Sequence, residues 1–234
     1  MLQQTQVDRV KPFYRAFLAR FPTVRALARA PLPAVLVAWR GLGYNRRAKL
    51  LREAARAIVA RHGGRVPRDV GALVALTGVG AYTAGAVRAF AWNEPSAIIE
   101  TNIRNVFTRE FFPRRKAVRD ADLMPFIEAA LDRKDPRRWY AALMDYGSAL
   151  KKEARGLNAR SAHYAKQKPF KGSTREARGA ILAVLTATKK PATIAGISRS
   201  SGIRRARLAA AARALAADGL IECAGETLFL SGAR

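Results

Sequence analysis

Apolar side chains recur every three to four positions along most of the chain, which is the spacing of an amphipathic α-helix. In the first run Val7, Val10, Phe17 and Leu18 share one face, and Pro22 ends the run. Proline and glycine separate the runs that follow, which predict helices over residues 23–30, 33–40 and 46–61. Strand-like alternation is almost absent before residue 220. The pattern therefore predicts that most of the chain is all-α.

The C-terminal part of the chain predicts a helix, a short helix, a turn, a longer helix and a β-hairpin. The ranges are 175–186, 193–200, 201–202 and 203–218, followed by a hairpin of 220–223 with 227–230. This order is typical of a winged helix-turn-helix, in which the helix after the turn enters the major groove of DNA. Arg204, Arg205 and Arg207 begin that helix, and we predict that they contact DNA. A protein-binding module of the same fold is the alternative.

The stretch between these two parts is basic and poor in branched aliphatic residues. It also contains Gly156, Pro169 and Gly172, so its composition favours a linker or an irregular segment. We therefore predict a helical domain over 1–150, a basic linker over 151–173 and a winged helix-turn-helix domain over 174–234.

Composition supports a folded protein and excludes several kinds of metal site. Half of the 234 residues are hydrophobic, which is ample for a core, and no apolar run approaches the roughly 18 residues of a membrane span. The single cysteine, Cys223, excludes an internal disulfide framework, a cysteine-ligated zinc site and a cluster that needs about four thiolates. We expect a cytoplasmic protein with no metal site and no membrane partner.

Charge points to a polyanionic partner. The formal net charge is +26, with +19 carried by residues 1–170 and +7 by residues 171–234. Because lysine and arginine contacts to phosphates release counterions, a field of this size favours nucleic acid. A solvated basic surface and an anionic membrane are the alternatives.

One glycine-rich turn has the features of a phosphate-binding hairpin. A short apolar helix ends near Leu76, the turn follows, and a second helix begins near Ala81. The four residues of the turn are Thr77, Gly78, Val79 and Gly80. Glycines at this spacing let backbone amides approach an anion, and the N-terminus of the next helix favours negative charge at the same place. We predict that the turn binds a DNA phosphate.

Six segments together resemble the helix-hairpin-helix DNA glycosylase superfamily, and within it the adenine glycosylase branch more than the endonuclease III branch. They are MLQQTQV at 1–7, RFPTV at 20–24, GLGY at 41–44, LTGVGAYTA at 76–84, ETNIRNV at 100–106 and MDYG at 144–147. The resemblance covers about two thirds of the chain, since the winged-helix part lies outside it. It implies a base excision repair enzyme that rotates a nucleotide out of the duplex and cleaves its N-glycosidic bond.

The resemblance assigns two catalytic positions. Glu100 stands where the family has an aspartate that stabilises the sugar cation, and its alternative role is to cap the following helix. Tyr82 stands where bifunctional relatives have a lysine that attacks the sugar. Because a phenol cannot form a Schiff base, the resemblance implies a monofunctional enzyme that leaves an abasic site. Packing at a helix start is the alternative for Tyr82.

The resemblance also implies a set of DNA contacts. Gln3 and Gln4 match a pair that probes the duplex near the rotated base, Tyr44 matches an aromatic wedge, and Asn102 matches a residue that orients sugar and water. Arg46 and Arg47 begin the next helix and could meet phosphates. For each of these, an ordinary surface or capping role is the alternative.

The chain departs from the family in three further ways. The glutamate that protonates the departing adenine would precede Met1, so we expect residues upstream of the printed start. The four cysteines of the usual iron–sulfur cluster are absent, and a basic segment that includes Arg160 and His163 stands in their place. Adenine glycosylases of the family usually continue into a domain that recognises 8-oxoguanine opposite the adenine. Here the winged helix stands in its place, so the resemblance does not imply recognition of 8-oxoguanine. No cofactor is expected beyond a monovalent cation on the carbonyls of the hairpin.

The sequence thus predicts a monofunctional glycosylase that acts on a mismatched or damaged base in double-stranded DNA, with adenine in a purine mismatch as the first expectation. A uracil, thymine-mismatch or deaminated-purine glycosylase is one alternative. A non-catalytic protein that binds damaged DNA is the other. We expect a monomer associated with a bacterial nucleoid.

Overall fold

The computed structural model of the protein describes residues 1–3, 5–153, 156–167 and 169–233. Gln4, predicted to probe the duplex, lies outside the described residues. Helices dominate the described chain, which confirms the all-α prediction. In chain order they are α1 (Val7–Arg20), α2 (Val24–Arg29), α3 (Leu32–Trp39), α4 (Arg46–His62), α5 (Val70–Val74), α6 (Ala81–Val87), α7 (Thr101–Phe111), α8 (Asp120–Ala130), α9 (Pro136–Glu153), α10 (Thr174–Thr188), α11 (Ile194–Ser201) and α12 (Arg205–Ala217).

Two less regular helical segments and a small sheet complete the secondary structure. α6 continues directly into a π-helical turn over Arg88–Trp92, and a 3₁₀ turn spans Leu157–Arg160. The strands are β1 (Ala192–Thr193), β2 (Ile221–Ala224) and β3 (Thr227–Leu230), in the antiparallel order β1-β3-β2. The predicted hairpin is confirmed. The pattern missed β1, because two residues are too few to show alternation.

Side-chain caps explain where several helices begin. The Thr23 hydroxyl accepts from the Ala26 amide at 3.0 Å, the Asp69 carboxylate from the Ala72 amide at 2.8 Å, and the Thr193 hydroxyl from the Gly196 amide at 3.1 Å. Each oxygen satisfies a first-turn amide that has no partner within its own helix.

The chain forms two compact units. Unit 1 contains Met1–Pro67, Leu76–Gly78 and Lys168–Arg234, and unit 2 contains Arg68–Ala75 and Val79–Gln167. The N-terminal helices and the C-terminal module therefore belong to one unit. The domain boundaries inferred from composition remain predictions.

Unit 1 has one hydrophobic core to which both ends of the chain contribute. Leu36 and Trp39 of α3 share this core with Ile181 of α10 and Leu208 of α12, and all four are almost completely buried. Asp218 adds polar contacts: its carboxylate accepts from Arg178 Nη2 at 2.5 Å, and its carbonyl oxygen accepts from Lys49 Nζ at 2.7 Å. The C-terminal module is thus fixed to α3 and α4 by burial and by hydrogen bonds.

Unit 2 is built around α7, α8 and α9. Ile103, Leu123 and Ile127 are fully buried among them, together with Tyr140. The Tyr140 hydroxyl donates to the Ser96 carbonyl at 2.7 Å and accepts from the Ile98 amide at 2.9 Å. Burial raises the pKa of Tyr140 to about 12. This phenol therefore stays neutral and fixes the chain that leads into α7.

The segment after α9 is attached to α7 by side-chain contacts. Leu157 is buried in the core of unit 2, and the Asn105 amide donates to the Asn158 side-chain oxygen at 2.6 Å. The Arg160 guanidinium donates to the carbonyls of Phe112 and Arg115. Arg160 thus helps to fix this basic segment to the rest of unit 2.

Replacement of Asn158 by alanine is expected to destabilise unit 2 by about 1–3 kcal/mol, because it leaves a buried amide without an acceptor. Asn105 is only 2% exposed, so water cannot readily replace the lost oxygen. Urea unfolding of wild type and Asn158→Ala measures the cost. The double variant Asn105→Ala with Asn158→Ala removes both partners and should recover part of it. Strictly additive losses would show that the two amides do not interact.

Among the described residues, no helix combines the length and the apolar character that crossing a bilayer would require.

Candidate active site

Glu100 lies at the N-terminal end of α7, and its side chain caps that helix. Its Oε1 accepts from the Asn102 amide at 2.7 Å and from the Ile103 amide at 3.0 Å. Its Oε2 lies 3.4 Å from the Asn102 side-chain nitrogen. The capping alternative and the catalytic prediction therefore describe the same geometry. The cap uses Oε1 and fixes a half-buried carboxylate in one orientation, with Oε2 held less closely.

Tyr82 lies in the first turn of α6 and is electrostatically coupled to Glu100. Its side chain is 37% exposed. Burial and, to a smaller extent, the charge of Glu100 raise the pKa of the Tyr82 hydroxyl. The phenol is therefore protonated at neutral pH, and both side chains that the sequence predicted to be catalytic belong to unit 2.

The predicted phosphate-binding turn lies where the chain passes from unit 1 to unit 2, between Gly78 and Val79. Gly78 has a φ of +79°, and a Cβ there would stand 2.8 Å from Leu50 Cβ, so both conformation and space require glycine. Gly80 is the N-cap of α6 and carries no side chain to occupy the space before the helix. Thr77, Gly78 and Gly80 are exposed, and Val79 is half-buried.

A close contact between α9 and α7 sets the position of Asn102. A Cβ on Gly147 would overlap the backbone carbonyl of Asn102, so glycine alone lets α9 approach this closely. Asn102 is one of the residues whose amide binds Glu100. The position of the carboxylate thus depends on Gly147, which the sequence marked only as the last residue of the MDYG segment. The available signal was a glycine inside an otherwise regular helical run.

In unit 1, Arg47 organises the residues around Tyr44. Its guanidinium donates to the carbonyls of Gln3 at 2.8 Å and of Gly43 at 3.4 Å, and its centre lies 5.5 Å from the ring centroids of both Trp39 and Tyr44. Tyr44 has a φ of +47°, a conformation that costs energy for any residue with a side chain. Arg47 therefore stabilises a strained and exposed aromatic residue, a role that its position in a basic run did not reveal.

The other residues of unit 1 that are predicted to contact DNA differ in the contacts that they already make within the protein. Arg204 and Arg205 are exposed at the start of α12. Arg207 instead donates to Glu176 Oε2 at 2.9 Å and to the Ser173 carbonyl at 3.1 Å. The hydrogen bond from Arg207 lowers the pKa of Glu176. Arg46 is mostly exposed and lies 3.7 Å from Asp218. The DNA contacts of all these residues remain predictions.

Metal ligands do not converge anywhere in the part of the chain that the structure describes: no group of three or more His, Cys, Asp or Glu side chains could hold an ion there. Cys223 lies on β2 and is exposed.

A glycine turn between two helices, on a strongly basic helical scaffold, is the arrangement of a helix-hairpin-helix protein that binds DNA. Residues 1–124 match the model of the HhH-GPD superfamily base excision DNA repair protein, and the chain belongs to this superfamily.

Individual relatives agree with this assignment. The adenine DNA glycosylase of Mycolicibacterium smegmatis is 35% identical over 98% of this chain and 84% of its own length. A thermostable thymine-DNA glycosylase superimposes with a TM-score of 0.55 and 26% identity over 63% of this chain and 69% of that chain. An endonuclease III–DNA complex, at a TM-score of 0.50 and 22% identity over 64% of this chain and 68% of that one, shares the fold. The predicted family, fold and enzyme class, a DNA glycosylase, are confirmed.

Proposed function

We propose that the chain hydrolyses the N-glycosidic bond of adenine in a mismatched DNA duplex and leaves the strand uncut. The observation that carries this proposal is the carboxylate of Glu100, fixed by two amides of α7 and coupled to the neutral phenol of Tyr82. The adenine specificity is supported by an adenine DNA glycosylase that matches nearly the whole chain.

The geometry supports electrostatic catalysis. As the base departs, positive charge develops on the sugar, and a carboxylate that is already fixed stabilises it without having to reorient. Oε1 of Glu100 is engaged by the amides of Asn102 and Ile103, which leaves Oε2 as the oxygen to face the sugar. The Asn102 side chain beside Oε2 would orient the attacking water.

The residue at position 82 determines whether the product is an abasic site or a cleaved strand. A lysine at this position would attack the sugar and open a route to strand cleavage, whereas a protonated phenol has no amine with which to form a Schiff base. The raised pKa of Tyr82 keeps it protonated and uncharged beside Glu100. The expected product is therefore an abasic site in an intact strand.

DNA binding in this proposal is shared between the hairpin and the basic surface. The hairpin over residues 77–80 would bind a phosphate through its amides, with a monovalent cation on its carbonyls, and no other cofactor is proposed. Gln3, Tyr44, Arg204 and Arg205 would make further contacts. The partner would be double-stranded DNA with a mismatch or a lesion, bound by a monomer in a bacterial nucleoid.

A second specificity, thymine in a mismatch, is favoured by one observation. The structure of a thermostable thymine-DNA glycosylase is similar to this chain over 63% of its length. That neighbour covers less of the chain than the adenine glycosylase, which is why adenine is proposed first.

Incubation with a panel of end-labelled duplexes tests both specificities. The panel contains adenine opposite guanine, adenine opposite 8-oxoguanine, thymine opposite guanine and uracil opposite guanine, with a fully paired duplex as control. We expect strand breaks at adenine that develop only after alkali treatment. Excision of thymine or uracil alone would replace the proposed specificity, and breaks without alkali would contradict the role of Tyr82. Binding without excision of any base would overturn the enzymatic proposal.

A further inference from the structure

A small apolar pocket in unit 1 lies apart from the residues that the proposed chemistry uses. Its volume is about 280 Å³, and it is lined by Pro33, Ala34 and Val37 of α3 together with Leu185 of α10 and Phe229 of β3. All of the lining residues belong to unit 1. The volume is below the roughly 300–1,000 Å³ of sites that hold drug-sized ligands, so the pocket suits one large side chain.

Three cationic side chains complete the lining. Arg20 ends α1, and Lys189 and Lys190 directly follow α10. The described part of the lining contains no carboxylate, and among the described residues none of these three cations forms an ion pair. Every other side chain of the lining is apolar. A ligand that fits therefore has an apolar group that enters the pocket and negative charges beside it.

The backbone that carries the two lysines is fixed before any ligand binds. Lys189 has a φ of +55° as the C-cap of α10, and its amide donates to the Leu185 carbonyl at 3.0 Å. The Lys190 amide donates to the Thr188 hydroxyl at 3.2 Å, and Pro191 disfavours helical backbone at Lys190. This turn therefore loses little backbone freedom when a ligand binds.

We propose that this pocket binds a partner protein through an acidic peptide segment that carries one large apolar side chain. The positive charge of the lining is complementary to such a segment. A nucleobase fits less well, because its edges carry hydrogen-bonding groups that would lose water against apolar side chains. The ring of a phenylalanine carries none, and its burial alone favours binding by about tenfold or more.

The proposal gives the C-terminal module a role in protein binding. α10 and β3 of that module supply part of the lining, and Lys189 and Lys190 belong to it as well. Glu100 and Tyr82 belong to unit 2, so a peptide in the pocket does not occupy the residues proposed for catalysis. The contact would attach the chain to a second protein while those residues remain available to DNA.

Two fluorescein-labelled peptides test whether a side chain enters the pocket. One has four aspartates followed by phenylalanine, and the other has alanine in place of the phenylalanine. By fluorescence anisotropy we expect the full chain to bind the phenylalanine peptide about tenfold more tightly. In Ala34→Leu, which fills the pocket, this preference should fall to about twofold or less. Ala60→Leu adds the same bulk at an exposed position of α4 outside the lining and should keep the preference.

The cations are tested separately with substitutions at exposed positions, which spare the core if Ala34→Leu proves unstable. Arg20→Gln combined with Lys190→Gln removes two charges of the lining and should weaken binding of the phenylalanine peptide about fivefold. Arg56→Gln combined with Arg61→Gln removes the same charge from exposed positions of α4 outside the lining, and should change the affinity by less than twofold.

Four results would overturn the inference. Equal affinity of wild type for the two peptides would show that no side chain enters the pocket, and a preference that survives in Ala34→Leu would place the contact elsewhere. Equal effects of the two pairs of charge substitutions would remove the role of the lining cations. Weaker duplex binding by Ala34→Leu would assign the pocket to the DNA surface. Excision in the duplex panel tests the proposed function independently of all four.

Discussion

The variant Glu100→Gln is expected to excise its base on the order of 10²–10³-fold more slowly than wild type, or slower still, while its DNA affinity stays within about twofold. The glutamine oxygen can still accept from the amides of Asn102 and Ile103, so the cap of α7 and the shape of the site persist. Only the negative charge is lost, and with it the stabilisation of the sugar cation.

Single-turnover excision and fluorescence anisotropy measure the two effects separately. Glu100→Asp is the matched control, since it keeps the charge on a shorter side chain and should retain part of the activity. Thermal unfolding of Glu100→Gln should differ little from wild type, because the helix cap survives. Wild-type rates in Glu100→Gln would reduce Glu100 to a capping residue and would require another source of catalysis.

Substitution of Gly147 by alanine is expected to act on stability and on catalysis together. The new methyl group would overlap the backbone of Asn102, so α9 and the start of α7 must move apart. Overpacking of this kind costs about 1–3 kcal/mol. Because Asn102 also positions Glu100, a shift of about 1 Å should lower the excision rate on the order of 10²-fold.

Gly179→Ala is the matched control for stability, since it also replaces a glycine within a helix but has open space around the new atom. It should stabilise the chain by up to about 1 kcal/mol through helix propensity. Urea unfolding and single-turnover excision on both variants complete the comparison. A Gly147→Ala variant that is as stable and as active as wild type would mean that α7 and α9 can separate without consequence for Glu100.

Periodicity was sufficient to locate most of the helices, and its failures have physical causes. The run predicted over 46–61 is observed as Arg46–His62, because a single amphipathic stripe ends at two glycines. The π-helical turn over Arg88–Trp92 was missed, since five residues form a single turn and are too few to establish a period of their own.

The candidate active site was predicted from the positions of Glu100 and Tyr82 in recognisable segments, and the charge of Glu100 contributes to the raised pKa of Tyr82. Charge and position in the sequence could not distinguish an exposed arginine from one whose guanidinium group makes hydrogen bonds within the protein. Arg47 and Arg207 look like Arg204 in the sequence, yet their guanidinium groups bind backbone carbonyls or a carboxylate within unit 1. Such contacts join residues far apart in the chain, and a local pattern contains no record of them.

The shared core of unit 1 affects the order in which the protein can form during synthesis. Side chains of α3 are covered by side chains of α10 and α12, which the ribosome adds more than a hundred residues later. Unit 2 is nearly continuous in the chain and can fold as soon as residue 167 has emerged. Unit 1 cannot close until α12 and the β2–β3 hairpin have been synthesised, and its long-range contacts make this the slower step. The apolar side chains of the N-terminal helices therefore stay partly exposed to solvent until the C-terminal module has been synthesised.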